Sequence, residues 1–97
     1  MNLRMFLITT GETVIGDILS EEDLSYTVKA ICVQPQPSET GQLSVTPMPV
    51  GGLFGMFAVN GTFVLQKSHI VAMCKEVNKQ AESIFIQATT GLTIAQN

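Results

Sequence analysis

Charge is scarce in this chain. Only 13% of its 97 residues are Asp, Glu, Lys or Arg, where about 25% is usual for a soluble domain. Long apolar runs are missing as well: mean hydropathy is +0.32, yet nothing approaches the ~20 consecutive apolar residues that cross a bilayer. The surplus apolar area is therefore assigned to contacts between subunits, and an oligomer with no membrane partner is expected. The competing reading is a monomer whose surface is rich in Thr, Ser and Gln. Basic residues are the scarcest charges, five against eight acidic ones, for a net charge of -3. A broad grip on nucleic acid needs many Lys and Arg to neutralise phosphates, so any nucleic-acid site must be local.

Cysteine and histidine are equally sparse. Cys32 and Cys74 have no CxxC spacing, and each lies in an apolar run, where a free thiol behaves as a small hydrophobe; both are expected to be buried and reduced. The start, Met1 to Ile8, carries one positive charge, and its apolar stretch is cut short by Thr9-Thr10-Gly11-Glu12. A secretory signal needs a longer apolar region, so a cytoplasmic location is expected. Asn60-Gly61-Thr62 matches a glycosylation acceptor, but that chemistry requires secretion, and the tripeptide is read as a turn.

What remains is mostly strand pattern, and one domain over residues 1–97 is expected. Residues 3–9 alternate Leu3, Met5, Leu7 against Arg4, Phe6, Ile8, which leaves both faces largely apolar. Thr10-Gly11-Glu12 is a turn, Thr13 to Leu19 resumes as a strand, and the two form a hairpin. Gly16 within the second strand marks a bend or bulge. Ser20 to Ser25 is a polar connection whose acids Glu21, Glu22 and Asp23 read as a solvated turn. Tyr26 to Val33 alternates again, with Val28, Ala30 and Cys32 on one face. Gln34 to Gly41 is a Pro-rich loop, and Leu43 to Met48 a further strand.

Residues 34–61 form a loop-rich middle segment. Within it, Val50-Gly51-Gly52-Leu53-Phe54-Gly55-Met56-Phe57 is both Gly-rich and apolar. Two readings are open: a loop that meets a partner or lines a lumen, or a loop folded over the domain's own core. Phe63-Val64-Leu65 and Ile70 to Cys74 are strands joined by the tight turn Gln66-Lys67-Ser68-His69. Val77, Ala81, Ile84, Phe85 and Ala88 recur at helical spacing, with Asn78 as the cap and Gly91 as the end. The β-branched and aromatic run Ile84-Phe85-Ile86 leaves a strand as the alternative.

Catalytic machinery requires a nucleophile with a base, paired carboxylates or a metal with an open position. His69 is the sole histidine, and no spacing ties it to either cysteine; Gly51, Gly52 and Gly55 sit among apolar residues and precede a strand, unlike a phosphate loop. No catalytic residue, metal site or cofactor is expected.

Two segments together resemble the Sm/LSm family. The hairpin Leu7 to Leu19, with its turn Gly11, Val14, Gly16 and Ile18, resembles the first family motif. Leu65-Gln66-Lys67-Ser68-His69-Ile70-Val71 resembles the Ile-Arg-Gly-Ser-Asn-Ile core of the second. Members from marine phages look most similar. The resemblance implies an all-β fold, a small, strongly bent, five-stranded SH3-like barrel, to which the helical spacing above would add a short C-terminal helix, and whose edge strands pair between copies to close a homo-oligomeric ring. It also implies a pore-facing site for single-stranded RNA or DNA. Carried across, Tyr26 is the base stacker, a contact worth about 1 to 3 kcal/mol. Thr27 stands where the family has its base-reading Asn, Gln66 and Lys67 replace Arg-Gly, and Ser68 and His69 complete the turn. Tyr26 has a plainer reading, a strand residue packed on the core. Two functions follow as expectations: a ring that binds single-stranded nucleic acid, and an assembly protein that keeps the ring without the ligand.

Overall fold

The computed structural model describes residues 1–37, 39–41 and 43–95. Among them six strands form one antiparallel sheet: β1 (Leu3–Ile8), β2 (Thr13–Glu21), β3 (Ser25–Pro37), β4 (Leu43–Met48), β5 (Thr62–Gln66) and β6 (Ile70–Cys74). Two helices, α1 (Leu53–Phe57) and α2 (Lys79–Ala95), and two 3₁₀ turns, Val59–Gly61 and Lys67–His69, complete the order. The six strands are those read from the pattern, one more than the five-stranded barrel that the resemblance implies. Among the described residues no helix is long and apolar enough to cross a membrane.

The period-two pattern builds the core. Phe6 and Ile8 of β1, Val14 of β2, Tyr26, Val28, Ala30 and Cys32 of β3 and Leu65 of β5 are buried together with Val50. Phe6 and Tyr26 pack within it, ring centroids 5.7 Å apart. Burying a side chain of this size stabilises by about 1.5–3 kcal/mol. Ile15 and Phe85 are buried outside that cluster, where α2 lies against β2, β3 and β4.

The β1–β2 hairpin forms as its alternation predicts, from Leu7↔Thr13 to Leu3↔Asp17, with Gly11 at φ +90° in the turn. The irregularity expected at Gly16 lies elsewhere. Gly16 stays in register between Arg4 and Ala30, and a Cβ there would stand 3.3 Å from the Ala30 Cβ; the glycine serves close packing. The bulge comes three residues later, where the register of β2 on β3 steps from Ile18↔Val28 to Ser20↔Thr27 and leaves Leu19 unopposed.

The loop expected over 34–41 is strand as far as Pro37. Gln34, Pro35, Gln36 and Pro37 pair with Thr46, Val45, Ser44 and Leu43. Pairing of β3 with β2 ends at Val33, so one edge of this ribbon is open. Pro35 and Pro37 share strand parity, which puts their missing donors on a single edge, the arrangement a strand tolerates. Ser38, near the tip of that expected loop, lies outside the described residues.

Residues 79–95 are helix, with Asn78 as the cap. The Ala81 N–H donates to Asn78 Oδ1 at 2.9 Å, the side-chain cap that satisfies a first-turn donor. The helix does not end at Gly91 but runs to Ala95: a glycine inside a helix costs only about 1 kcal/mol and is no stop by itself. Gln96 and Asn97 lie outside the described residues.

The apolar Gly-rich segment divides in two. Val50 enters the core, whereas Leu53, Phe54, Met56 and Phe57 of α1 are exposed, Phe57 to 77%. Gly55 makes the tight approach: its N–H donates to Val50 O at 2.7 Å, and a Cβ there would meet the Val50 backbone at 2.5 Å. Asn60-Gly61 is a turn as expected, both residues at positive φ. The expected burial of both cysteines holds for Cys32 but not for Cys74, which is exposed at the end of β6, where the strand has no covering layer.

Glu12 pins this segment to the hairpin. Its Oε2 accepts from the Gly51 N–H at 2.9 Å, and its Oε1 from the Thr10 hydroxyl at 2.9 Å. The Gly51 bond holds the Glu12 carboxyl below its ordinary value of 4.5. A carboxyl depressed in the folded state contributes stability above its unfolded value and loses it as pH falls through the folded one. We expect the Gly51 amide resonance to titrate with a midpoint below pH 4.5, and Glu12→Gln to abolish the titration. A Gly51 amide that ignores acid would remove this anchor.

Candidate nucleic-acid interface

The two turns that the resemblance assigns to binding meet at one end of the sheet. The β2–β3 turn closes with the Glu22 N–H donating to Ser25 O at 2.8 Å. The 3₁₀ turn Lys67–His69 between β5 and β6 touches it through the Lys67 N–H, which donates to Leu24 O at 2.9 Å. On its other side the Thr9 N–H donates to His69 O at 2.9 Å. The turn is thus held from both flanks by backbone bonds, independent of its side chains.

Tyr26 begins the buried face of β3, flanked by Glu21 on β2 and Leu65 on β5. It is only 6% exposed. Its ring packs on Phe6, and the Lys67 ammonium stands 4.9 Å from its centroid. The Arg4 guanidinium lies 5.7 Å from the same centroid, with long polar contacts from Nη1 to the Tyr26 hydroxyl at 3.5 Å and to Met73 Sδ at 3.8 Å. A cation over an aromatic face is attracted by the ring quadrupole. Two of the chain's five basic residues are therefore gathered around its single tyrosine.

Lys67 is also held by charge. Its Nζ donates to Glu21 Oε2 at 2.7 Å, and the two side chains are 30% and 50% exposed. This bond holds the Glu21 carboxyl below its ordinary range, helped by the nearby charges of Arg4 and Lys75; the same bond raises the Lys67 ammonium. Solvent screens an ion pair this open, and its weight in stability is small.

Of the residues assigned from sequence, Tyr26 and Lys67 come together; Thr27, paired with Val64, and Gln66, paired with Ser25, alternate with the buried Tyr26–Leu65 pair and so face the other side of the sheet. Ser68 is exposed on the turn. His69 faces the other flank, its Nδ1 3.3 Å from Thr9 Oγ1. Arg4, Glu21 and Met73 also belong to the cluster. Arg4 was legible, since it shares strand parity with Phe6 and Ile8 and so points to the core side. Glu21 was not, because without the bulge at Leu19 the register would put Ser20 opposite Tyr26.

Cys32 is poorly placed to be a thiol nucleophile. Burial, with the Glu12 carboxylate beside it, pushes the Cys32 thiol up to about 11, away from the thiolate that reacts.

Tyr26 has a structural duty as well as a candidate ligand duty. Removing a buried ring of this kind costs about 3–5 kcal/mol, whereas loss of a hydroxyl with only long partners costs about 1 kcal/mol or less. In urea denaturation we expect Tyr26→Ala to lower stability by about 3 kcal/mol and Tyr26→Phe to stay close to the unmodified protein. Equal, small effects would show that the ring is not part of the core.

Comparison with known proteins leaves the site to be judged on this geometry: no family model matches the chain, and no curated protein matches it significantly.

Proposed function

We propose that this protein is a ring-forming, Sm-like binding protein that holds single-stranded nucleic acid, RNA by preference, at the end of the sheet where Tyr26 and Lys67 meet. The observation that carries the reading is the convergence of the β2–β3 turn and the Lys67–His69 turn, with Lys67 and Arg4 around one aromatic ring. A cation and a flat π face side by side suit a phosphate and its base. The role is binding, not catalysis.

Strand pairing favours a small barrel. β1 pairs with β2, β2 with β3 and β3 with β5, while β6, joined to β5 through the Lys67–His69 turn, pairs back to β1. Ring closure is favoured by what this leaves open. Among the described residues, the pairings leave one edge of β5 and one edge of β6 free. Neither strand contains a charged residue, and Val64 and Val71 are exposed on them. Uncharged free edges of this kind pair with another chain, and a head-to-tail pairing of β5 with a neighbour's β6 generates a ring if the rotation closes.

The net charge of -3 and the Glu21 carboxylate on Lys67 favour the second reading, an assembly ring without a nucleic-acid ligand. Sedimentation at micromolar concentration is expected to show several protomers, and Val71→Lys, a charge placed on the free edge, to shift them toward monomer. A monomer at every concentration would overturn the ring. With short U-rich or A-rich RNA at low salt, Lys67→Ala should weaken binding across sequences and reduce the salt slope by about 1 for the lost phosphate contact. No binding by unmodified protein at low salt would leave the assembly reading in place.

A further inference from the structure

Glu21 occupies an improbable position for an acid in a site meant for phosphate. The bulge at Leu19 shifts β2 by one residue and brings Glu21 opposite Tyr26. There its Oε2 takes a proton donor of Lys67 at 2.7 Å, while the same ammonium lies over the Tyr26 ring. The cation available for a ligand is thus already paired with an oxyanion supplied by the chain itself.

We infer that Glu21 is a built-in competitor for phosphate: single-stranded nucleic acid binds by exchanging one of its phosphates for the Glu21 carboxylate on Lys67. The inference rests on the nucleic-acid reading above. Both side chains reach solvent, so the exchange needs no opening of the core. An exposed pair shifts an equilibrium by about fivefold or less, a contest that a phosphate wins when base stacking adds to it. A phosphate that approached without displacing the carboxylate would meet a like charge beside Lys67. The consequence is selectivity. A polyanion that offers charge alone gains little at this site, because it replaces a contact that already exists, whereas a strand that also presents a base to Tyr26 gains the stacking energy. Movement of Lys67 toward the phosphate also takes its ammonium off the ring face that a base would use.

Titration of a short oligouridylate at low salt tests this with three variants. Glu21→Gln is expected to bind about fivefold more tightly than unmodified protein. Glu22→Gln removes the same charge one residue away, from an exposed position, and is expected to change affinity by less than about twofold, the scale of a screened surface charge. In a Lys67→Ala background, Glu21→Gln should do no more than Glu22→Gln, since the coupling runs through Lys67. If unmodified protein binds but Glu21→Gln is no tighter than Glu22→Gln, or is weaker, the competitor role is overturned and the nucleic-acid reading stands. If Glu21→Gln binds where unmodified protein does not, the carboxylate excludes phosphate instead of exchanging with it, and the exchange is overturned. If neither binds, both fall together. Circular dichroism of each variant confirms that the fold is unchanged.

Discussion

Strand β3 is the constraint on which the rest of the structure depends. One of its edges carries β2 from Tyr26 to Val33, and the other is shared between β5 over Ser25 to Lys29 and β4 over Cys32 to Pro37. A single strand therefore positions three partners, and its buried face, Tyr26, Val28, Ala30 and Cys32, supplies much of the core. Because successive residues point to opposite faces, a slip of one residue would turn that whole set outward. The hydrophobic pattern of β3 thus locks the register of every strand beside it.

The candidate site inherits its geometry from that lock. Tyr26 is the first buried residue of β3, where the core reaches the edge of the sheet, and the β5–β6 connection is forced to cross it. Backbone bonds from Leu24 and Thr9 hold the crossing turn, so Lys67 is delivered to the Tyr26 ring whatever its side chain does. The same residue is then asked to stabilise the fold and to meet a ligand. Lys67 stands over its ring and is held there by Glu21. Core packing against Phe6 and the cations near the ring are different physical environments for one aromatic side chain.

Much of the fold was legible in the sequence wherever one local rule decided the outcome. Alternation in Leu3 to Leu19 and in Tyr26 to Val33 reports a half-buried strand directly, and Gly11 marks the turn between strands. Asn78 caps α2 as its side-chain chemistry dictates, although the helix runs past the end expected at Gly91 because one glycine costs a helix interior only about 1 kcal/mol. Pro35 and Pro37 read as loop because a lost donor is costly in a paired edge; their strand is possible only since one edge is open. Cys74 read as buried because its neighbours are apolar, yet it ends a strand with no layer above it. The helical turn at Leu53 to Phe57 had no local signal beyond its glycines.

Sequence alone sets the alternating core of β1, β2 and β3 and the turns at Gly11 and Asn60, since burial periodicity and turn chemistry act over a few residues at a time. It also carried the pairing of Tyr26 with the Lys67 turn, though through resemblance and not through any local rule. Tertiary structure alone decided which charges meet there. The extra residue at Leu19 changes a register that depends on two distant strands, and that single step is why Glu21, in place of Ser20, stands opposite Tyr26 and holds Lys67. Arg4 arrives at the same ring from β1, 22 residues away in the chain, because sheet pairing brings its strand to the Tyr26 edge. Local propensity cannot encode such a meeting, since the ion pair and the cation contacts arise only after β1, β2, β3 and β5 have chosen their partners.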